Sequence, residues 1–169
     1  MKINNMKLLF LLLLISTALF GQSNNEIQNQ RKLKNYIHLD SIDVYSKDYP
    51  TKLIEGSGLF KNKKNKDIGS IGYSTEITKD KNGKIVRVLK SESDHYDEYN
   101  KKPQKSVISK ITIYFDEFQQ PDLAKYISKI FISSSLVTTK TKLFDLKADN
   151  EDTYEFRQVK DVLNEIKEK

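Results

Sequence analysis

The sequence predicts an α+β domain in which an antiparallel β-sheet of about six strands carries an N-terminal and a C-terminal helix. Three observations predict it. Apolar and polar residues alternate on both sides of Asn82-Gly83, the strongest short hairpin signal. β-Branched residues crowd the middle of the chain, and helical spacing without Gly or Pro is confined to its two ends.

Ahead of the domain, Lys2 and Lys7 precede an apolar run from Leu8 to Ile15 that continues through Ala18, Leu19 and Phe20 to Gly21-Gln22. A charged start, an apolar middle and small residues near the exit have the plan of a secretory signal peptide. The run falls short of the roughly 20 residues that span a bilayer as a helix. Residues 1–21 are therefore expected to be a signal peptide cleaved after Gly21, and residues 22–169 a single α+β domain. No cysteine follows the run, so a lipid anchor lacks an attachment point and the product is expected to be periplasmic or secreted, without a membrane anchor. The ending Leu19-Phe20-Gly21-Gln22 and the general composition resemble small exported proteins of the Bacteroidota, a resemblance that implies an address and no activity.

The domain opens with Asn24 to about Tyr45, where Leu33, Tyr36, Ile37, Asp40 and Val44 recur at three and four, predicting a helix that ends before Pro50. Lys52 to Lys61 reads as a first strand, with Gly56 and Gly58 marking a bulge or a close backbone approach. The polar stretch Lys61 to Asp67 reads as a turn. Ile71, Tyr73, Thr75 and Ile77 then alternate with polar residues, and Ile85, Val86, Val88 and Leu89 follow Asn82-Gly83. A two-residue turn there pairs Lys81 with Lys84, Ile77 with Val88 and Tyr73 with Glu92. Ser91 to Lys105 is polar, contains Pro103 and reads as a long loop.

Val107, Ile111, Ile113 and Phe115 alternate with Lys110, Thr112 and Tyr114, predicting a half-buried strand. Leu123 to Ile132 fits either period, and its β-branched run favours a strand over a helix. Leu136 to Leu146 is disfavoured as a helix by its threonines. At the end, Asp152 and Glu155 have the spacing of a capping box ahead of a helix whose face is Phe156, Val159, Val162, Leu163 and Ile166.

Composition excludes more functions than it suggests. With no cysteine, disulfides, thiolate metal sites and thiol nucleophiles are ruled out. The formal charge of +6 falls to +4 once Lys2 and Lys7 leave with the leader. Of the 29 cations only Arg31, Arg87 and Arg157 are arginine, so the forked donor favoured for phosphate and guanine is scarce and no nucleic-acid partner is expected. The clusters Lys61, Lys63, Lys64, Lys66 and Lys101, Lys102, Lys105 predict at most weak contact with an anionic envelope surface.

No catalytic spacing emerges. His38 and His95 are the only histidines, and neither Gly-x-Ser-x-Gly nor Ser-x-x-Lys occurs. His38 and Asp40 point about 200° apart on a helix, so they form no local acid-base pair. Asp80, Asn82 and Gly83 superficially match a calcium loop, but Thr78 and Leu89 stand where its first and last oxygen ligands belong. Asp94, His95 and Asp97 are the weak candidates for metal ligands, in a stretch that reads first as a solvated acidic loop. No cofactor is expected. The stretch Glu55-Gly56 through Gly58, Phe60 and Lys61 to Lys64, followed by Gly69 and Asn82-Gly83-Lys84, resembles one MORN-type repeat, a glycine-punctuated hairpin, and carries no function with it.

The expectation is an exported non-enzymatic binding domain for an unknown protein partner or small ligand. The alternative is an envelope glycan- or peptide-directed hydrolase using carboxylates that the fold brings together. A cleft with facing carboxylates separates the two.

Overall fold

The computed structural model describes residues 25–96 and 104–167. The expected signal peptide lies outside these residues, as do Asp97, Lys101 and Lys102. Six strands form one antiparallel sheet in sequence order: β1 (Thr51–Lys61), β2 (Asp67–Lys79), β3 (Ile85–Tyr96), β4 (Lys105–Phe115), β5 (Pro121–Ile132) and β6 (Ser135–Asp145). An α-helix over residues 25–33, α1, precedes them and α2 (Tyr154–Lys167) follows. The α+β architecture is thus the one the sequence predicts, and Leu123 to Ile132 is a strand.

Pairing between β2 and β3 matches the expected register, with Ile77 opposite Val88 and Tyr73 opposite Glu92. The turn differs. Asp80 and Lys84 close a three-residue loop in which Gly83 takes a left-handed φ of 80°, and a register shift after Thr78 restores the pairing further along. The same device occurs three times among the described residues. Asn62, Asp80 and Asp116 each accept, through one side-chain oxygen, the backbone N–H groups two and four residues on, at 2.8–3.1 Å. Asn65, Gly83 and Gln119 supply the left-handed residue in the three turns. The Gln119 amide then clips both backbone groups of Ile85, tying together the two turns at this end of the sheet.

Alternation puts two sets of side chains on opposite faces. On one face Ile77, Val88, Ile113, Ala124 and Phe144 lie side by side across five strands, and Phe156, Val159 and Val162 of α2 pack on them. Thr153, rather than Asp152, caps α2: its hydroxyl accepts the Phe156 N–H at 3.3 Å, which leaves Glu155 free to pair with Lys140.

On the other face Leu39 packs on Tyr114 and Leu123, so β4 is buried on both sides rather than half-buried. The segment that covers it is not one long helix. Beyond residue 33 the chain tightens into a 3₁₀ turn, Ile37–Ser41, with Tyr36 N–H bonded to Leu33 O and Leu39 N–H to Tyr36 O. The apolar period falls from 3.6 to 3, and Leu33, Tyr36, Leu39 and Ile42 face the sheet while Ile37 is 59% exposed. Polar contacts fix this segment. Arg87 donates to Leu39 O at 2.6 Å, Tyr114 and Lys125 bind Asp40, and Lys32 and the Tyr36 hydroxyl bind Asp122.

Both helices sit over the same end of the sheet. Across 55–61, 67–74, 91–96, 105–110, 127–132 and 135–141 only Gly69 is buried, and no side chain joins either core. β3 nevertheless runs through Ser91 to Tyr96, a stretch whose polarity predicted a loop, because β2 and β4 hydrogen-bond it on both sides. The outer edges of the sheet are β1 and β6, each eleven residues long, and Lys52, Glu55, Lys140 and Lys142 place charges along them.

Candidate functional site

The uncovered half of the α2 face holds a concavity. Its floor is a grid of alternate residues, Glu92 and Asp94 on β3, Val107 and Ser109 on β4, Tyr126, Ser128 and Ile130 on β5, and Thr138 and Lys140 on β6. Its wall is the first turn of α2, with Tyr154, Glu155 and Gln158. The volume is about 280 Å³, slightly under the range of drug-sized ligand pockets. The grid follows from the register: Glu92 sits opposite Ser109 and Asp94 opposite Val107, Ser109 opposite Ser128 and Val107 opposite Ile130.

Aromatic rings continue this face toward β1 and the far end. Tyr73 lies over Gly56, whose absent side chain makes the room, since a Cβ there would stand 2.2 Å from the Tyr73 hydroxyl. Phe60 and Tyr96 stack with centroids 5.2 Å apart across Gly69, where a Cβ would meet His95 O at 2.2 Å. Gly56 therefore makes room for a ring, whereas Gly69 allows a close approach of the β3 backbone.

Most charges at the groove are paired within the protein. Lys90 binds Glu165 at 2.6 Å and Glu92 at 3.2 Å. Burial pushes its pKa down, and the hydrogen bonds to Glu165 and Glu92 together with their charges outweigh that, leaving it raised. Lys140 pairs with Glu155, and Lys142 lies 3.8 Å from Glu155 and 3.6 Å from Glu151. The hydrogen bond from Lys140 holds the Glu155 carboxyl below its ordinary range.

Asp94 is different. Its Oδ1 is shielded from solvent and has no hydrogen-bond partner among the described residues, while Oδ2 meets the Tyr96 hydroxyl only at 3.5 Å. Burial, reinforced by the charge of Glu92, raises its pKa. Burial likewise raises the Tyr126 and Tyr96 hydroxyls, so both rings present neutral O–H groups.

The candidate metal ligands come apart. Asp94 and His95 are neighbours in a strand, so they project from opposite faces. His95 contacts the Ser93 and Ser106 hydroxyls at 3.1 and 2.9 Å on the far side, and Asp97 lies outside the described residues. Among the described residues no three His, Cys, Asp or Glu side chains gather to hold a metal ion. The Asp80 carboxylate is taken up by its own turn, and His38 is exposed, with no acid-base pairing to Asp40.

Sequence reasoning missed Tyr126, Ser109, Ser128, Lys140 and Tyr154 as one site. The signal was present in the register: pairing Tyr73 with Glu92, continued by two residues, places Asp94 beside Glu92 on one face. Polarity concealed it by making β3 resemble a loop. Among the described residues no helix is long and apolar enough to cross a membrane. Comparison with family models, curated proteins and solved structures gives no match.

Proposed function

We propose that the chain is an exported, non-enzymatic binding domain whose ligand or protein partner seats in the groove between the uncovered sheet and the first turn of α2. The observation that supports this most is the concave polar-aromatic floor of about 280 Å³ that the sheet leaves beside the first turn of α2. Amide chemical-shift mapping of the mature domain against small cationic, neutral and anionic probes tests it. At least one class should move the resonances of Glu92, Asp94, Ser109, Tyr126 and Ile130, and a filled groove, Ser128→Phe, should abolish the response. Response in neither protein, or an equal response in both, refutes the reading.

The hydrolase reading has one observation in its favour. Glu92 and Asp94 share a face two residues apart, about 7 Å along the strand, and burial raises the Asp94 pKa. Glu92 is already engaged by Lys90, which weakens it as a base or nucleophile. Release of reducing sugar or peptide from envelope material, lost in Glu92→Gln, would place this reading first.

Export is tested by mass spectrometry of the secreted chain, which should begin at Gln22.

A further inference from the structure

The two outer strands of the sheet differ in how their free edges are finished. Pro50 O accepts the Lys79 N–H at 3.0 Å and Asn62 N–H donates to Lys66 O at 2.9 Å, so the even-numbered residues of β1 bond to β2. The odd-numbered ones turn their N–H and C=O groups outward. Among the described residues nothing hydrogen-bonds to those outer groups at Leu53, Glu55, Ser57 or Leu59. In β6 the parity is the same, with Leu146 N–H bonded to Asp122 O, and there the outer groups near the helices are taken. Asn29 donates to Leu143 O at 3.3 Å, Asp149 Oδ2 accepts the Asp145 N–H at 2.6 Å, and Asp145 O accepts the Asp149 N–H at 2.7 Å. The stretch of β6 left open runs through Thr139 and Thr141.

An open edge invites a further strand, and β1 is self-complementary. A two-fold pair needs residue i opposite j and j opposite i. An axis through Gly56 pairs the strand over its whole length, Thr51–Lys61, with Leu53 opposite Leu59 and Glu55 opposite Ser57 of a second copy. These odd-numbered residues exchange the N–H and C=O groups that β2 does not use. Leu53 and Leu59, 46% and 62% exposed, cover each other on the face away from α2. On the α2 face Gly56 meets Gly56 and Ile54 meets Gly58, at positions where Cα atoms approach to about 4.5 Å. Gly58 is not required by its own chain, since a Cβ there would make an ordinary contact, 3.4 Å from Ile71 Cγ2. Opposite Ile54 it has a use, because a strand glycine admits the close approach of another backbone.

The alternatives are poorer. Centring the axis on Glu55 sets the two carboxylates directly opposite, and centring it on Ser57 sets Leu53 against Lys61. With Gly56 at the axis the two Glu55 side chains are only diagonal neighbours, each opposite a serine. Pairing β6 about its own middle sets Lys140 against Lys140.

We propose that two copies of the chain join through β1 as an antiparallel pair centred on Gly56, giving one continuous sheet of twelve strands, six from each copy. Both outer strands of that sheet are β6, whose edge is capped at Leu143 and Asp145, so assembly stops at two.

Sedimentation of the mature chain over a concentration series should show monomer and dimer and nothing larger. Amide hydrogen exchange reads the edge itself: with rising concentration Leu53, Glu55, Ser57 and Leu59 should gain about tenfold protection or more, while Thr139 and Thr141 gain none. Ser57→Pro removes an N–H that β2 does not use and should leave a folded monomer. Leu59→Lys, at a residue outside both cores, should weaken the dimer by about tenfold or more, so the test does not hang on the proline. Since the chain has no cysteine, oxidation reports the register. Leu53→Cys mixed with Leu59→Cys should form the mixed disulfide, and Leu53→Cys alone should not, its two thiols lying about 20 Å apart along the paired strands.

A monomer at every concentration, growth beyond the dimer, or like and mixed disulfides in equal yield overturns the proposal. So does a dimer that survives both Ser57→Pro and Leu59→Lys, which places the contact elsewhere. None of these results bears on ligand binding in the groove.

Discussion

The two halves of the sheet are built from the same six strands and held by different forces. In the half between the helices, buried rows lie on both faces: Ile77, Val88, Ile113, Ala124 and Phe144 under α2, and Thr78, Arg87, Tyr114 and Leu123 under the N-terminal segment. In the far half the strands are held by their ladders, turns and cross-strand rings, with both faces open to solvent over most of their length. Stability is concentrated in the first half, and the proposed binding groove lies in the second. That division is common where a rigid scaffold presents a site.

The largest effect should come from truncating the α2 core. Phe156→Ala removes a ring packed on Phe144 and should cost about 3–5 kcal/mol in urea denaturation, whereas Leu136→Ala, at an exposed site of β6, should stay within about 0.5 kcal/mol. Equal costs would mean that the halves are not held differently.

Next comes the buried guanidinium. Arg87 is 3% exposed and joins Leu39 O, Glu76 and Thr78, so it holds the N-terminal segment to the sheet. Arg87→Ala should cost about 3 kcal/mol, and hydrogen exchange should show 25–42 opening before the strands. Arg87→Lys should recover little, having one charge centre where three partners are spread around a fork.

These contacts show why part of the fold was legible in the sequence and part was not. Where strands are buried on a face, as at Ile77 and Val88, alternation gave their pairing correctly, even though the turn between them holds three residues. The same logic failed at Ser91 to Tyr96, because a half-buried strand that neither helix core covers has little need of apolar residues and leaves no period to read. It failed again at Leu33 to Ile42, where a 3₁₀ turn changed the period and buried Leu39 in place of Ile37. The groove lies in the first kind of blind spot. Its acidic residues read together as a solvated loop, and the strand that brings Glu92, Asp94 and the β4–β5 hydroxyls to one face leaves no period to show it.

Two aspartates sharpen the comparison through pH. Asp122, in the covered half, is buried, which by itself raises its pKa, but bonds from Lys147, Tyr36 and Lys32 prevail and hold it below the ordinary value. Its contribution is therefore present above the unfolded carboxylate pKa of about 3.9 and is lost as pH falls through the folded value. Asp122→Asn should cost about 1–3 kcal/mol at pH 7 and progressively less below pH 4. A cost independent of pH would assign the effect to packing rather than charge.

Asp94 should give the smallest change and the opposite sign. Its pKa is raised by burial and by Glu92, so the folded state disfavours its charge: the relative stability it confers is present below the unfolded pKa and is lost as pH rises through the folded one. Asp94→Asn removes that charge and should raise the denaturation midpoint at pH 7 while leaving it unchanged near pH 3. Removing a carboxylate would thus weaken the covered half and strengthen the far half. If Asp94→Asn instead destabilises at pH 7, Asp94 has a structural partner in solution, and the far half is held by its polar side chains as the covered half is.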